Sequence, residues 1–205
     1  MKEILPDIHT WSCFSEQKGL DFNGLYIRSG REAVIVDPPQ YGEEDLRQME
    51  ALGAPRAILL TNKDHVRRSA ELAARFGVPI RIHEADAPLV NIPIGSVFRD
   101  GDVIEAGLRV IQVPDSKSPG ETALLLGASN ALIIGDALIG KPAGRLSLLP
   151  SPMIKDPEKA RRGIRRLLEF PFDAVLVGDG SSILSGGKAA LEAFLSTPPG
   201  TDGVA

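Results

Sequence analysis

Leu59-Leu60-Thr61-Asn62-Lys63-Asp64-His65 carries an apolar run straight into a cluster of polar and ionisable side chains. Residues 57–60 read as a buried strand, because aliphatic residues bounded by turn formers suit a covered sheet. A helix is expected from about Asp64 to Phe76, with Gly77 as its stop and Asp64 at its positive end. Open α/β folds gather ligand-binding groups where strands end, so this turn is a candidate site. Three other segments share its character. Pro114-Asp115-Ser116-Lys117-Ser118-Pro119-Gly120-Glu121-Thr122 links two expected strands, and Ile133-Ile134-Gly135-Asp136 and Leu176-Val177-Gly178-Asp179-Gly180 each close one.

Outward from the turn, strands are expected at 24–28, 33–36, 79–83, 108–113, 122–126, 131–134 and 174–177. Ala33-Val34-Ile35-Val36 and Ala131-Leu132-Ile133-Ile134 are apolar on both faces, as strands are when other layers cover them. A helix at 43–52 opens with Glu43, Glu44 and Asp45 and closes before Gly53. Another takes Asp156 as N-cap and Pro157 as its first residue, with Ala160, Ile164, Leu167 and Leu168 along one face. Arg161, Arg162, Arg165 and Arg166 fall on the opposite face, read here as solvated. A last helix spans 187–195. The order predicts an α/β fold of mixed sheets with helices outside them. One domain is expected over residues 1–196, followed by a frayed tail at 197–205.

The 205-residue length suits one large core, and 43% hydrophobic with 24% charged residues is ordinary for a globular chain. A formal charge of −4 argues against a general nucleic-acid partner. The single cysteine, Cys13, excludes an intrachain disulfide and fits a reducing compartment. The first residues lack the apolar run of a secretory signal, and no later run is long enough to span a bilayer. The expectation is a soluble, cytoplasmic protein with no membrane partner. Its oligomeric state stays open, a homo-oligomer included.

Taken in order, the four polar segments resemble the motif series of metallo-β-lactamase-fold hydrolases, the glyoxalase II-like group among them. That series is a Thr-His-x-His-x-Asp-His turn, a Pro-Gly-His-(Thr/Ser)-Pro-Gly loop, a Gly-Asp at a strand end and a late Gly-His. Asn23-Gly24, Val36-Asp37-Pro38 and Asp100-Gly101-Asp102 are similar to the family's early strands and to the turn before its histidine loop. The resemblance covers most of the chain and implies an αββα sandwich of two mixed β-sheets flanked by helices.

The departures matter most. Asp64 and His65 match the Asp-His pair, but Asn62 and Leu60 fall where the turn's other histidines belong, or the turn is two residues short. Lys117 falls at or beside the loop histidine, Asp136 matches the metal-bridging aspartate, and Asp179 stands in place of the last histidine. The resemblance implies that the family's first metal keeps only Asp136 here. The second metal keeps Asp64, His65, Asp136 and Asp179, one imidazole and three carboxylates that would suit Mn²⁺, Fe²⁺ or Mg²⁺ at least as well as Zn²⁺.

Two arrangements avoid a large buried charge. With Lys63 and Lys117 inward and His65 protonated, the three aspartates balance with no metal. With Lys117 alone and His65 neutral, one dication balances them. Two functions follow. One is a hydrolase of an ester, thioester or lactone, in which a single metal activates water beside Asp64 and Lys117 stabilises the oxyanion. The other is a non-catalytic protein in which Asn62, Lys63 and Lys117 receive a small anion over a metal-free cluster. A vestigial pocket in a structural or oligomer-forming domain is a third reading. His9 and His83 match no motif, and Cys13 has no activating partner. Residues 178–189 resemble a phosphate-binding loop, but Ser182 replaces its first glycine and Ala189 its hydroxyl residue.

Overall fold

A computed structural model describes residues 1–151 and 153–197. Eleven strands form two sheets. The first contains β1 (Lys2–Leu5), β2 (Ile8–Ser15), β3 (Leu20–Ser29), β4 (Glu32–Val36), β5 (Ala57–Leu59), β6 (Ile80–His83) and β7 (Ser96–Phe98), side by side in chain order. Its β1–β4 pairings are antiparallel and its β4–β7 pairings parallel. The second contains β8 (Leu108–Gln112), β9 (Thr122–Leu126), β10 (Ala131–Ile134) and β11 (Ala174–Val177), antiparallel except for the parallel β10–β11 pair.

The helices are α1 (Glu43–Leu52), α2 (Ser69–Phe76), α3 (Pro157–Arg165) and α4 (Gly187–Ser196). One apolar cluster joins Leu25, Ile27, Val34 and Leu59 of the first sheet to Val110, Leu124, Ile133 and Leu176 of the second. A second cluster packs Ile35, Ile58 and Ile82 against Met49 of α1 and Leu72 of α2. A third packs Leu132, Val175 and Val177 against Ile164 of α3 and Leu191 of α4. Alternate residues of one strand thus serve different layers, as the two-residue period of a strand requires. The result is the αββα sandwich of two mixed sheets.

Local chemistry sets the ends. Asp156 accepts the Lys159 N–H at 2.9 Å, capping α3 as its sequence predicts. Gly77 ends α2 in the left-handed conformation, at φ +66°. Two expectations need correction. The helix predicted from Asp64 starts only at Ser69, because residues 63–65 form a 3₁₀ turn and Arg67 takes φ +40°. The arginine face of α3 is not uniformly solvated. Arg161 is buried, lies 4.2 Å over the Phe194 ring and donates to the Phe194 and Thr197 carbonyls. Arg166 pairs with Asp100 at 2.7 Å. Of the expected tail, residues 198–205 lie outside the described residues. No helix among the described residues is long and apolar enough to cross a membrane.

Candidate functional site

Three buried polar side chains bring three of the four polar segments to one place. Asp37, just after β4, accepts the Thr61 N–H at 2.9 Å and the Thr61 hydroxyl at 2.6 Å, fixing the turn that follows β5. Asp86 accepts from the Lys63 N–H (2.9 Å), the Ser118 hydroxyl (2.5 Å) and the Gly120 N–H (2.8 Å). One carboxylate therefore ties the His65 turn to the Lys117 loop. Asn23 of β3 donates to the Val177 and Gly180 carbonyls at 2.9 and 2.7 Å, holding the segment that carries Asp179. Gly178 permits a close approach. A Cβ there would lie 2.7 Å from His65 Cε1, so only glycine leaves room for the imidazole.

His65 sits at the centre, 2% exposed. Its Nδ1 lies 2.8 Å from Asp37 Oδ2, and its Nε2 lies 3.3 Å from Asp136 Oδ1 and 3.9 Å from Asp179 Oδ1. Two cations flank this group. Lys117 Nζ donates to Asp136 Oδ2 at 2.7 Å and reaches Asp64 Oδ2 at 2.9 Å. Arg67 Nη2 reaches Asp179 Oδ1 at 2.5 Å and lies 3.3 Å from His65 Nε2. Lys63 Nζ pairs with Asp64 at 3.0 Å. His65, Asp136 and Asp179 each offer one ligand atom, all within 4.8 Å of one another, so by donor geometry this group could hold a metal ion.

The ionisation states follow from these neighbours. Burial and Arg67 push the His65 pKa down, but Asp37 and Asp136 outweigh them and raise it to about 10. Burial opposes ionisation of Asp136, yet His65 and Lys117 hold its pKa well below the ordinary carboxylate range. Burial also works against the Lys117 ammonium, and Asp136 with Asp64 overcomes it, raising that pKa. For Asp179 burial wins over His65 and Arg67, and the pKa rises. Glu121 is fully buried beside them. Burial first, then the Asp136 charge, lift its pKa well above the usual value. Its Oε1 accepts the Ala137 N–H at 3.2 Å and the Asn62 amide at 3.4 Å, while Oε2 has no partner among the described residues.

Asp64, His65, Lys117, Asp136 and Asp179 thus converge around one cavity of about 270 Å³. Asn62 and Lys63 do not line it. Asn62 is fully buried, its Oδ1 accepting the Asp64 N–H at 2.9 Å, and the Lys63 ammonium is spent on Asp64. Sequence reasoning passed over Arg67, Asp37, Asp86 and Glu121. Asp37 carried a readable signal, a carboxylate directly after the buried strand 33–36. Arg67 carried none, since it fell inside an expected helix. The cavity walls are apolar, from Leu20, Phe22, Ile139, Leu149 and Met153, and Lys18 and Lys141 stand at its more exposed end.

Comparison with known proteins places this geometry in context. The family model described as the metallo-beta-lactamase superfamily matches residues 1–197. Rv2581c of Mycobacterium tuberculosis, an uncharacterized protein, is 30% identical over 195 aligned residues, spanning 78% of this chain and 81% of that protein. The solved structure of TTHA1623 in a di-iron-bound form is 25% identical, with a TM-score of 0.70, 92% of this chain covered and 98% of that one. The metallo-beta-lactamase from Pontibacter korlensis has a TM-score of 0.76 at 17% identity, with 96% and 98% covered, a likeness of fold.

Proposed function

Since this chain belongs to the metallo-β-lactamase superfamily and yet sets its own cations among the site's carboxylates, we propose that it is a metal-independent binding protein for a small amphipathic anion. The residues do not fit a divalent metal. His65 Nδ1 is engaged by Asp37, so only Nε2 could bind one, and Nε2 faces the Arg67 guanidinium at 3.3 Å. Asp37, Asp64, Asp136 and Asp179 are matched by Lys63, Arg67, Lys117 and a protonated His65. A dication bound to that balanced group, even with the His65 proton released, would leave a positive charge uncompensated.

The observation that carries the ligand class is the division of the cavity. Its lining combines an internally neutralised group of carboxylates, apolar walls and two lysines. Among the described residues, neither Lys18 nor Lys141 pairs with a carboxylate, and the Lys141 ammonium reaches only the Gly19 carbonyl, at 3.3 Å. An apolar body would displace water from Leu20, Phe22, Ile139 and Leu149, while a carboxylate or phosphate end would meet the lysines. The metal-assisted hydrolase gains less support, because Asp64 is drawn to Lys63 and Lys117, away from the group around His65.

Thermal-shift titration with straight-chain alkyl carboxylates and their matched amides tests this reading. Carboxylates should stabilise the protein, increasingly with chain length until the cavity is filled. The effect should vanish in the double variant Lys18→Glu, Lys141→Glu. Equal stabilisation by the neutral amides, or none by any chain, would overturn it.

A further inference from the structure

Arg67 is held more firmly than a surface arginine would be. Its Nη1 donates to the Asn23 carbonyl at 3.3 Å and the Asp37 carbonyl at 3.4 Å, and the guanidinium lies 4.6 Å over the Phe22 ring. Its Nη2 enters between His65 Nε2 and Asp179 Oδ1, at 3.3 and 2.5 Å. To deliver the side chain there, the backbone takes φ +40°, a conformation that side-chain-bearing residues rarely adopt. Such a conformation persists only when its surroundings hold it in place, and here the contacts to Asn23, Asp37, Phe22 and Asp179 do so.

The acceptor that receives Nη2 is Asp179, a member of the group His65, Asp136 and Asp179, whose ligand atoms all lie within 4.8 Å of one another. A guanidinium offers donors alone, so it satisfies this acceptor as a cation would and accepts nothing in return. From this placement we infer that Arg67 is a built-in substitute for a divalent cation, and that its removal turns the same three side chains into a site that takes one. Without Arg67 the floor loses one positive charge, and His65 Nε2 loses the neighbour that crowds it. One imidazole with carboxylates favours a hard or borderline ion, Mn²⁺ or Fe²⁺, over a thiophilic one. Lys117 remains on Asp136 and Asp64 and limits the site to a single ion.

This inference rests on the metal-free half of the proposed function and is independent of the anion. If alkyl carboxylates fail to bind, it stands; if it fails, the lysine-ended cavity keeps its own test.

The experiment uses Arg67→Gly, which removes the side chain and suits the positive φ, with Arg67→Asn as a second variant that also tolerates it. Chelator-treated proteins are titrated with Mn²⁺, and free Mn²⁺ is read by electron paramagnetic resonance. Either variant should bind one equivalent at least about tenfold more tightly than the parent protein, because a unit charge has left the immediate neighbourhood. Adding Asp179→Asn should abolish the gain, and millimolar guanidinium ion should compete with Mn²⁺. A folded variant, checked by circular dichroism, that binds Mn²⁺ no better than the parent would overturn the inference. So would tight one-equivalent binding by the parent. If neither variant folds, parent binding alone decides: one equivalent held tightly refutes the inference, and none upholds it.

Discussion

The two halves of the floor accommodate their buried carboxyl groups in different ways. On the side of Asn62 and Glu121, neutral groups close the space. Burial and the nearby Asp136 charge raise the Glu121 pKa and favour its neutral form, and it accepts a weak 3.4 Å hydrogen bond from the Asn62 amide. On the side of His65, Asp136 and Asp179, the charges stay and two side-chain cations answer them. The contrast teaches that buried carboxyl groups can be accommodated by neutralisation or by a side-chain cation. A side-chain cation favours the ionised carboxylate and holds it in place, and the second half has a ligand-like geometry.

The comparison breaks most forcefully at Asp136, which serves the cationic half. Asp136→Ala leaves a buried imidazolium and the Lys117 ammonium short of a partner, and should cost about 3–5 kcal/mol in urea unfolding. A loss is also expected at alkaline pH. His65 titrates at about 10 folded, against 6.5 for the free side chain. A raised pKa stabilises fully below pH 6.5 and loses that contribution as pH rises through about 10, so unfolding midpoints should fall across this window. A midpoint flat from pH 7 to 10 would contradict a protonated His65. Gly178→Ala drives a methyl group to 2.7 Å from His65 Cε1 and should cost about 1–3 kcal/mol through overpacking.

Least harmful is Glu121→Gln, on the neutral half. The folded state keeps Glu121 protonated while the unfolded chain ionises, so the native glutamate is destabilising above its unfolded pKa and harmless below it. The variant should match the parent near pH 4 and exceed it at pH 8. A loss at pH 8 would mean that the carboxylate, not the acid, is needed there.

Much of this was legible in the sequence, for reasons that differ by residue. The strands around 33–36, 131–134 and 174–177 declared themselves because both their faces are covered. β1, β2 and β7 did not, since polar residues interrupt the first two without a regular period and three residues are too few to show one. Asp64, His65, Lys117, Asp136 and Asp179 were readable as strand-end polar groups in a familiar order, and they do meet. Arg67 escaped because its role depends on a left-handed backbone that interrupts an expected helix, a feature no periodicity reports. Glu121 escaped because its protonation depends on a neighbour 15 positions away in the chain, Asp136, and on burial. Lys63 was the undecided charge in the sequence, and its ammonium lies on Asp64 at the edge of the floor.

The most direct test is elemental analysis of protein purified without chelator from cells supplied with zinc, manganese and iron. With chain-borne cations standing among the carboxylates, metal content should lie far below one equivalent for every element. One equivalent of any divalent metal, retained through gel filtration, would contradict the account.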